Sequence, residues 1–449
     1  MMDGALDVID PKDLRVPPGG PLRRAARSTS TLRALAVSVA LLAGALAAIA
    51  PPWAVAASPV PLPKVVAVDI PWPRGGGPWQ DQGQFRELAR LDGQVVLVGR
   101  APRGAYSAAG TMGLLQLRDG RSGALTAEHH SPEIEAFDLF AGAATGGTFV
   151  ATGRDGRGAR AYVGRLTSSP RPALSVTAVA LPSEVTFAGG QFAAIAPSGH
   201  WLILGMHGPY RNGEEIVPLQ TRLISGRRSL WLAARDLERE DGWCYPEAVG
   251  VAGEGFVVVG AIDPVRGSRP QGWILGVDAA LRVTFERRGC GPHYPSCRLL
   301  AVARGSRGGY EVAGWSRDAP VPGYFFARLS EAGEWLDTAP MSLPPGGAVE
   351  ECSIAAVDDN VSAAPGFAGT CLAVTRDGQG LDYYPFWREA SGLQRWDPPW
   401  RDQRYLWQAL RDRDGAALLI SVDLESPSKR RQQLLLRPAQ LGQAWPQAN

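Results

Sequence analysis

The sequence predicts an all-β fold: a seven-bladed β-propeller of four-stranded repeats, each about 54 residues long, behind a signal peptide. The first observation is an apolar, β-branched run that closes on a turn residue. It is clearest as Phe256-Val257-Val258-Val259-Gly260, and further copies close at Gly99, Gly153, Gly205, Gly314, Thr375 and Ser421. The second is spacing, since the steps between these closing residues run from 46 to 61, around the period of roughly 50 that marks propeller blades. The third is a run of small residues ahead of each copy, such as Ala193-Ala194-Ile195-Ala196 and Leu300-Ala301-Val302-Ala303. Such runs suit inner strands, where large side chains would collide near a shared axis.

At the N-terminus, residues 1–33 are polar and carry Arg23, Arg24, Arg27 and Arg33. An uncharged run, Ala34 to Ala50, follows, and then Ala54-Val55-Ala56. A basic segment, an apolar segment and an A-x-A site make residues 1–56 a signal peptide with a long basic n-region. A retained membrane anchor is the rival reading, because an apolar run of 17 residues is at the short edge of a span. Contact with a membrane is expected only through that segment, if it is left uncleaved. The expected localisation is secreted or periplasmic.

Residues 57–84 read as a Pro- and Gly-rich linker. Within it, the apolar stretch 64–70 is either extended chain or a strand that completes the last blade and removes the seam of an open ring. The propeller then occupies residues 85–446. After each defining strand comes a second hairpin arm, such as Tyr162 to Leu166 or Tyr324 to Leu329. An outer strand follows, such as Leu174 to Val179 or Leu281 to Phe285. The third repeat is ambiguous: Leu230 to Ala234 is its third strand, or its fourth if Leu219 to Ile224 is the third.

Composition narrows the function. The chain has 43 arginines but only three lysines, Lys12, Lys64 and Lys429, a bias that fits a GC-rich bacterial genome better than selection for phosphate contacts. Removing residues 1–56 takes away six basic and four acidic residues, so the formal charge of +2 falls to zero. A neutral exported protein is not a nucleic-acid binder.

Residues 308–335, GGYEVAGWSRDAPVPGYFFARLSEAGEW, carry paired glycines, a strand ending in Ala-Gly, a variable hairpin, an aromatic strand ending in Arg-Leu, and then Gly and Trp. Gly308, Gly309, Ala313, Gly314, Phe325, Arg328, Leu329, Gly333 and Trp335 fill these places. The pattern resembles the repeat of exported bacterial β-propellers of the delta-sixty type, and the resemblance is best over residues 254–335. It implies a fold and no activity.

No motif for catalysis, a cofactor or a metal stands out. There is no G-x-S-x-G elbow, and His293 between two cysteines lacks the paired spacing of a zinc site. No catalytic residue, metal or cofactor is therefore assigned. The acidic pairs Glu350-Glu351 and Asp358-Asp359 read as solvated loop residues, or as carboxylates near an axial channel. In an oxidising compartment Cys290 and Cys297 are expected to close a short Gly/Pro-rich loop. Cys352 and Cys371 are expected to link neighbouring strands, with Cys244 left over.

Aromatic residues on loops are the better lead to a binding face. In an up-and-down blade, the connections from outer strand to next inner strand emerge on the same side as the loops between second and third strands. Long or aromatic connections of these kinds place Tyr210, Arg211, Trp243, Tyr245, His293, Trp396 and Trp400 as candidate ligand-binding residues. Trp396 and Trp400 flank Asp397-Pro398-Pro399, where stacking on a sugar or peptide competes with packing in the core. The expectation is a non-catalytic scaffold that binds a protein or carbohydrate ligand. The alternative is a glycan-active hydrolase or lyase with carboxylates near the central channel.

Overall fold

The computed structural model describes residues 66–70, 85–91, 94–102, 111–131, 134, 136–142, 148–155, 158–167, 173–183, 185, 189–207, 220–237, 242–264, 269–305, 308–318, 323–345, 347–357, 366–374, 381–389, 392–396, 399, 403–412, 415–423 and 431–438. Contacts separate the chain into two units, Met1–Pro61 and Leu62–Asn449, and every described residue lies in the second. The predicted signal peptide, most of the linker, and Tyr210, Arg211, Asp358, Asp359 and Trp400 lie outside the described residues.

Every regular element described is a β-strand, and no described helix is long and apolar enough to cross a membrane. The strands form seven four-stranded antiparallel sheets. Six are plain meanders in chain order. They are β2 (Phe85–Leu91), β3 (Gln94–Pro102), β4 (Thr111–Asp119) and β5 (Leu125–Ser131); then β6 (Ala136–Gly142), β7 (Thr148–Asp155), β8 (Gly158–Thr167) and β9 (Ala173–Ala178). The third comprises β10 (Gly189–Ile195), β11 (His200–His207), β12 (Gln220–Arg227) and β13 (Leu230–Asp236), and the fourth β14 (Gly242–Ala252), β15 (Gly255–Pro264), β16 (Gln271–Val277) and β17 (Val283–Arg288). Next come β18 (Arg298–Arg304), β19 (Tyr310–Ser316), β20 (Gly323–Leu329) and β21 (Trp335–Pro340), then β22 (Val349–Val357), β23 (Gly366–Val374), β24 (Leu381–Glu389) and β25 (Gln394–Trp396). The last sheet departs from chain order. It holds β26 (Gln403–Asp412), β27 (Gly415–Asp423) and β28 (Arg431–Pro438), and its fourth strand is β1 (Val66–Ile70), paired antiparallel with β28 from Val66↔Leu436 to Ile70↔Gln432.

The apolar runs are continuous because the middle strands are buried on both faces. Successive side chains of a strand point to opposite sides. In β15, Phe256 and Val258 therefore join the cluster shared with the preceding sheet, whereas Val257 and Val259 join the one shared with the following sheet. Similar clusters lie between the first and second sheets, the second and third, and the fifth and sixth. Each such valine stabilises the stack by about 1.5–3 kcal/mol. β26 of the last sheet approaches both β22 and β2, so adjacency also joins the last sheet to the first. The result is an all-β, propeller-like fold.

One device repeats in all seven sheets. The first strand always carries a bulge, leaving one residue unmatched: Arg86, Asp138, Gln191, Glu247, Leu300, Glu350 and Trp407. A bulge bends its strand and increases its twist. Just before the bulge, the facing residues of the first five sheets are Gly99, Gly153, Gly205, Gly260 and Gly314. The recurrent glycine thus has a packing reason, since a Cβ on Gly260 would collide with the Tyr245 carbonyl oxygen and the Pro246 Cα. In the sixth and seventh sheets the equivalent positions are Ala373 and Ile420. The closing residues that the sequence suggests there, Thr375 and Ser421, miss these positions: Ser421 lies one residue further along β27, and Thr375 lies outside the described residues.

Two further readings change. Gln220–Arg227 is the third strand of the third sheet and Leu230–Asp236 its fourth, which resolves the ambiguity there. The outer strand of the fourth sheet starts at Val283, because Leu281 takes φ 61° in the preceding turn and buries its side chain. Asp278 holds that turn through its Oδ1, which accepts from the N–H groups of Ala280 and Arg282. In the next sheet Ser330 takes the place of Asp278 and Gly333 that of Leu281, with φ 73°.

Candidate ligand-binding site

The candidate site is a cleft of about 690 Å³ among the fourth, fifth and sixth sheets. Arg298 opens β18, Trp315 lies near the end of β19 and Tyr324 near the start of β20, and ladder pairing places the three side by side (Arg298↔Trp315, Trp315↔Tyr324). Directly paired residues project from the same face of a sheet, and all three line the cleft. Asp318, just beyond β19, lines it from the loop between second and third strands. Glu351 and Cys352 line it from the start of β22. This is the side expected to carry the binding face.

Two disulfides border the cleft. Cys290 joins Cys297 across the connection from β17 to β18, and Cys352 joins Cys371 across the β22–β23 ladder. Cys297 and Cys352 both contribute to the wall. The sixth sheet is tied to the fifth by the backbone N–H of Cys352, which donates to the Tyr324 hydroxyl at 2.7 Å. Burial pushes the Tyr324 phenol above its ordinary range, so it stays protonated at neutral pH.

Charge in the cleft is mixed. Arg298 Nη2 donates to Asp263 Oδ2 at 3.0 Å, and Arg269 lies 3.4 Å from Asp318. Asp318 also accepts from the Ser296 hydroxyl at 2.5 Å. Arg317 is exposed and makes no ion pair among the described residues. Beside the Arg298–Asp263 pair, burial raises the carboxyl of the bulge residue Glu247; Arg298 works against that rise and Asp263 adds to it. Three guanidinium groups, two carboxylates, an indole and a phenol can bind a ligand rich in hydroxyl groups and carrying charge.

The candidates chosen from the sequence are only partly gathered here. Tyr245 stands at the edge, exposed, with the Arg298 guanidinium 5.8 Å from its ring centre. Trp243 and Tyr245 belong to β14 and not to a turn, because the bulge at Glu247 lets that strand run from Gly242. His293 is exposed at the tip of the disulfide loop. Trp396 is corrected: it lies in β25 and packs on Phe386, with ring centroids 5.3 Å apart, while its indole N–H donates to the Ser342 carbonyl at 3.2 Å. It is a packing residue between the fifth and sixth sheets. Trp315, Arg317, Asp318 and Tyr324 were missed, although the first three follow Gly314 in the variable hairpin of the best repeat. No group of three or more His, Cys, Asp or Glu suited to a metal occurs among the described residues.

No family model and no curated protein sequence matches the chain. Solved structures similar to it include the β-propeller domain of the Trilobed protease from Pyrococcus furiosus, at 9% identity and a TM-score of 0.48, covering 79% of this chain and 93% of that one. Another is the Dos1 propeller, at 8% identity and a TM-score of 0.43, covering 84% and 95%. A third is Pyrococcus horikoshii acylaminoacyl peptidase, at 11% identity and a TM-score of 0.48, covering 81% of this chain. The chain spans about half the length of that peptidase, 54%. The propeller-like fold rests on strand order and sheet packing, and none of these activities passes to this chain.

Proposed function

We propose that the chain is an exported, seven-bladed β-propeller with delta-sixty-type repeats, acting as a non-catalytic ligand-binding module, secreted or periplasmic. Support for seven blades comes from the seven four-stranded sheets, the approach of β2 to β26, and the completion of the last sheet by β1. Support for binding comes chiefly from one observation: residues far apart in sequence converge on a cleft of about 690 Å³ bordered by two disulfides, a volume within the small-ligand range. Glycan and peptide arrays probed with the whole protein test this reading. Capture is expected, and Trp315→Ala should remove it while the protein stays folded, with a loss of stability no greater than partial burial of one side chain explains. Capture that survives Trp315→Ala places the ligand elsewhere.

The second reading is a glycan-active hydrolase or lyase, and it is favoured by the presence of Asp318 and Glu351 in one cleft. Turnover of a polysaccharide panel that is lost in both Asp318→Asn and Glu351→Gln would establish it in place of the binding module.

A further inference from the structure

We propose that the cleft takes a carboxylate-bearing saccharide, with Arg317 meeting the carboxylate and Trp315 the ring face. This inference rests on the binding reading above and names its ligand class. Of the three arginines lining the cleft, Arg298 is held by Asp263 and Arg269 lies against Asp318, whereas Arg317 makes no ion pair among the described residues. A guanidinium presents its donors as a planar fork that matches a carboxylate bidentately. Among the described residues, an incoming acid therefore finds one uncommitted cation and displaces no existing pair.

The other groups decide what carries the acid. Trp315 is half-buried, supported in register by Arg298 on one side and Tyr324 on the other. Such an indole offers a rigid apolar face with a polar edge, which suits the C–H face of a pyranose ring. Asp318 and Glu351 are acceptors in the same cleft, and they would repel a compact multivalent anion such as phosphate. Hydroxyl groups, by contrast, donate to carboxylates. A uronic acid combines these requirements: one carboxylate, several hydroxyl donors and an apolar ring face. The volume of about 690 Å³ suits a short saccharide rather than a protein face.

The test is calorimetric titration of the whole protein with trisaccharides of glucuronate, galacturonate, mannuronate and guluronate, each beside its carboxyl-reduced neutral counterpart. At least one uronate should bind about tenfold or more tighter than its neutral partner, the scale of a charge-assisted hydrogen bond. Arg317→Gln should abolish that difference, and Arg317→Lys should retain part of it. Because Arg317 is exposed, neither change should move the melting temperature. Neutral sugars that bind equally well, or a preference that survives Arg317→Gln, overturn the acidic ligand; if Trp315→Ala still abolishes that binding, the cleft itself remains the site. Failure of every panel member to bind overturns the saccharide assignment, and capture on the peptide arrays would then identify the other ligand class.

Discussion

Arg298 holds Asp263 at 3.0 Å while its guanidinium lies 5.8 Å from the ring centre of Tyr245, so the first residue of β18 clamps two strands of the preceding sheet. Both partners of the ion pair are partly exposed, and such pairs contribute only about 0.2–1 kcal/mol. It also acts electrostatically on Glu247, opposing the rise that burial causes. Arg298→Ala should leave stability nearly unchanged but raise the Glu247 pKa further, because a cation that opposes the effect of burial is gone. NMR titration of the Glu247 side chain reads this directly. An unchanged titration would separate Glu247 from the Arg298 cluster.

Glu311 on β19 is 5% exposed, and its Oε2 has no hydrogen-bond partner among the described residues. Burial pushes its pKa to about 7, against the attraction of Arg388 and Arg328. The unfolded chain releases this proton near the ordinary value of 4.5, so between about pH 4.5 and 7 the folded state binds more protons. Stability falls as pH rises through that window, by on the order of 3 kcal/mol. Arg388 keeps other partners, the Gly392 carbonyl at 2.8 Å and the Phe326 ring at 4.3 Å. Glu311→Gln is therefore expected to melt higher than the parent at pH 8 and together with it at pH 4.5. A lower melting point at pH 8 would mean that the carboxylate stabilises the buried arginine more than burial penalises it.

Gly260→Ala should destabilise strongly, by roughly 2 kcal/mol or more. The new Cβ meets backbone of β14 at the Tyr245 carbonyl, where no flexible side chain can yield. Gly253→Ala, at a turn with φ 63° and open space except for the tip of Arg304, should cost only about 1 kcal/mol, from conformation alone. Urea unfolding of the two variants ranks them, and equal costs would remove the packing explanation for the repeated glycine.

Peptide mapping without reductant should recover Cys290 joined to Cys297 and Cys352 joined to Cys371, with Cys244 outside both bridges. Closing loops of this size stabilises by about 2–3 kcal/mol in the chain-entropy account. Because Cys297 and Cys352 form part of the cleft wall, reduction should weaken ligand capture at temperatures well below the melting point. Capture that persists until global unfolding would make the bridges irrelevant to the site.

The local sequence determines the strands, their order and much of their faces. A run such as Phe256 to Val259 stays buried whichever way its alternate residues point, and turn residues such as Gly309 and Gly333 adopt positive φ through properties of their own. Pairing of nearby cysteines was also legible, since a loop from 290 to 297 closes at little entropic cost. Tertiary structure alone decides which surfaces meet. Trp396 looked like a loop aromatic until β25 was seen to place it on Phe386 and Ser342. The cleft draws on residues from Arg269 to Cys352 in three sheets, and no local pattern records that convergence. It depends on how twisted sheets stack and on bulges such as that at Glu247, whose positions follow from backbone pairing across strands.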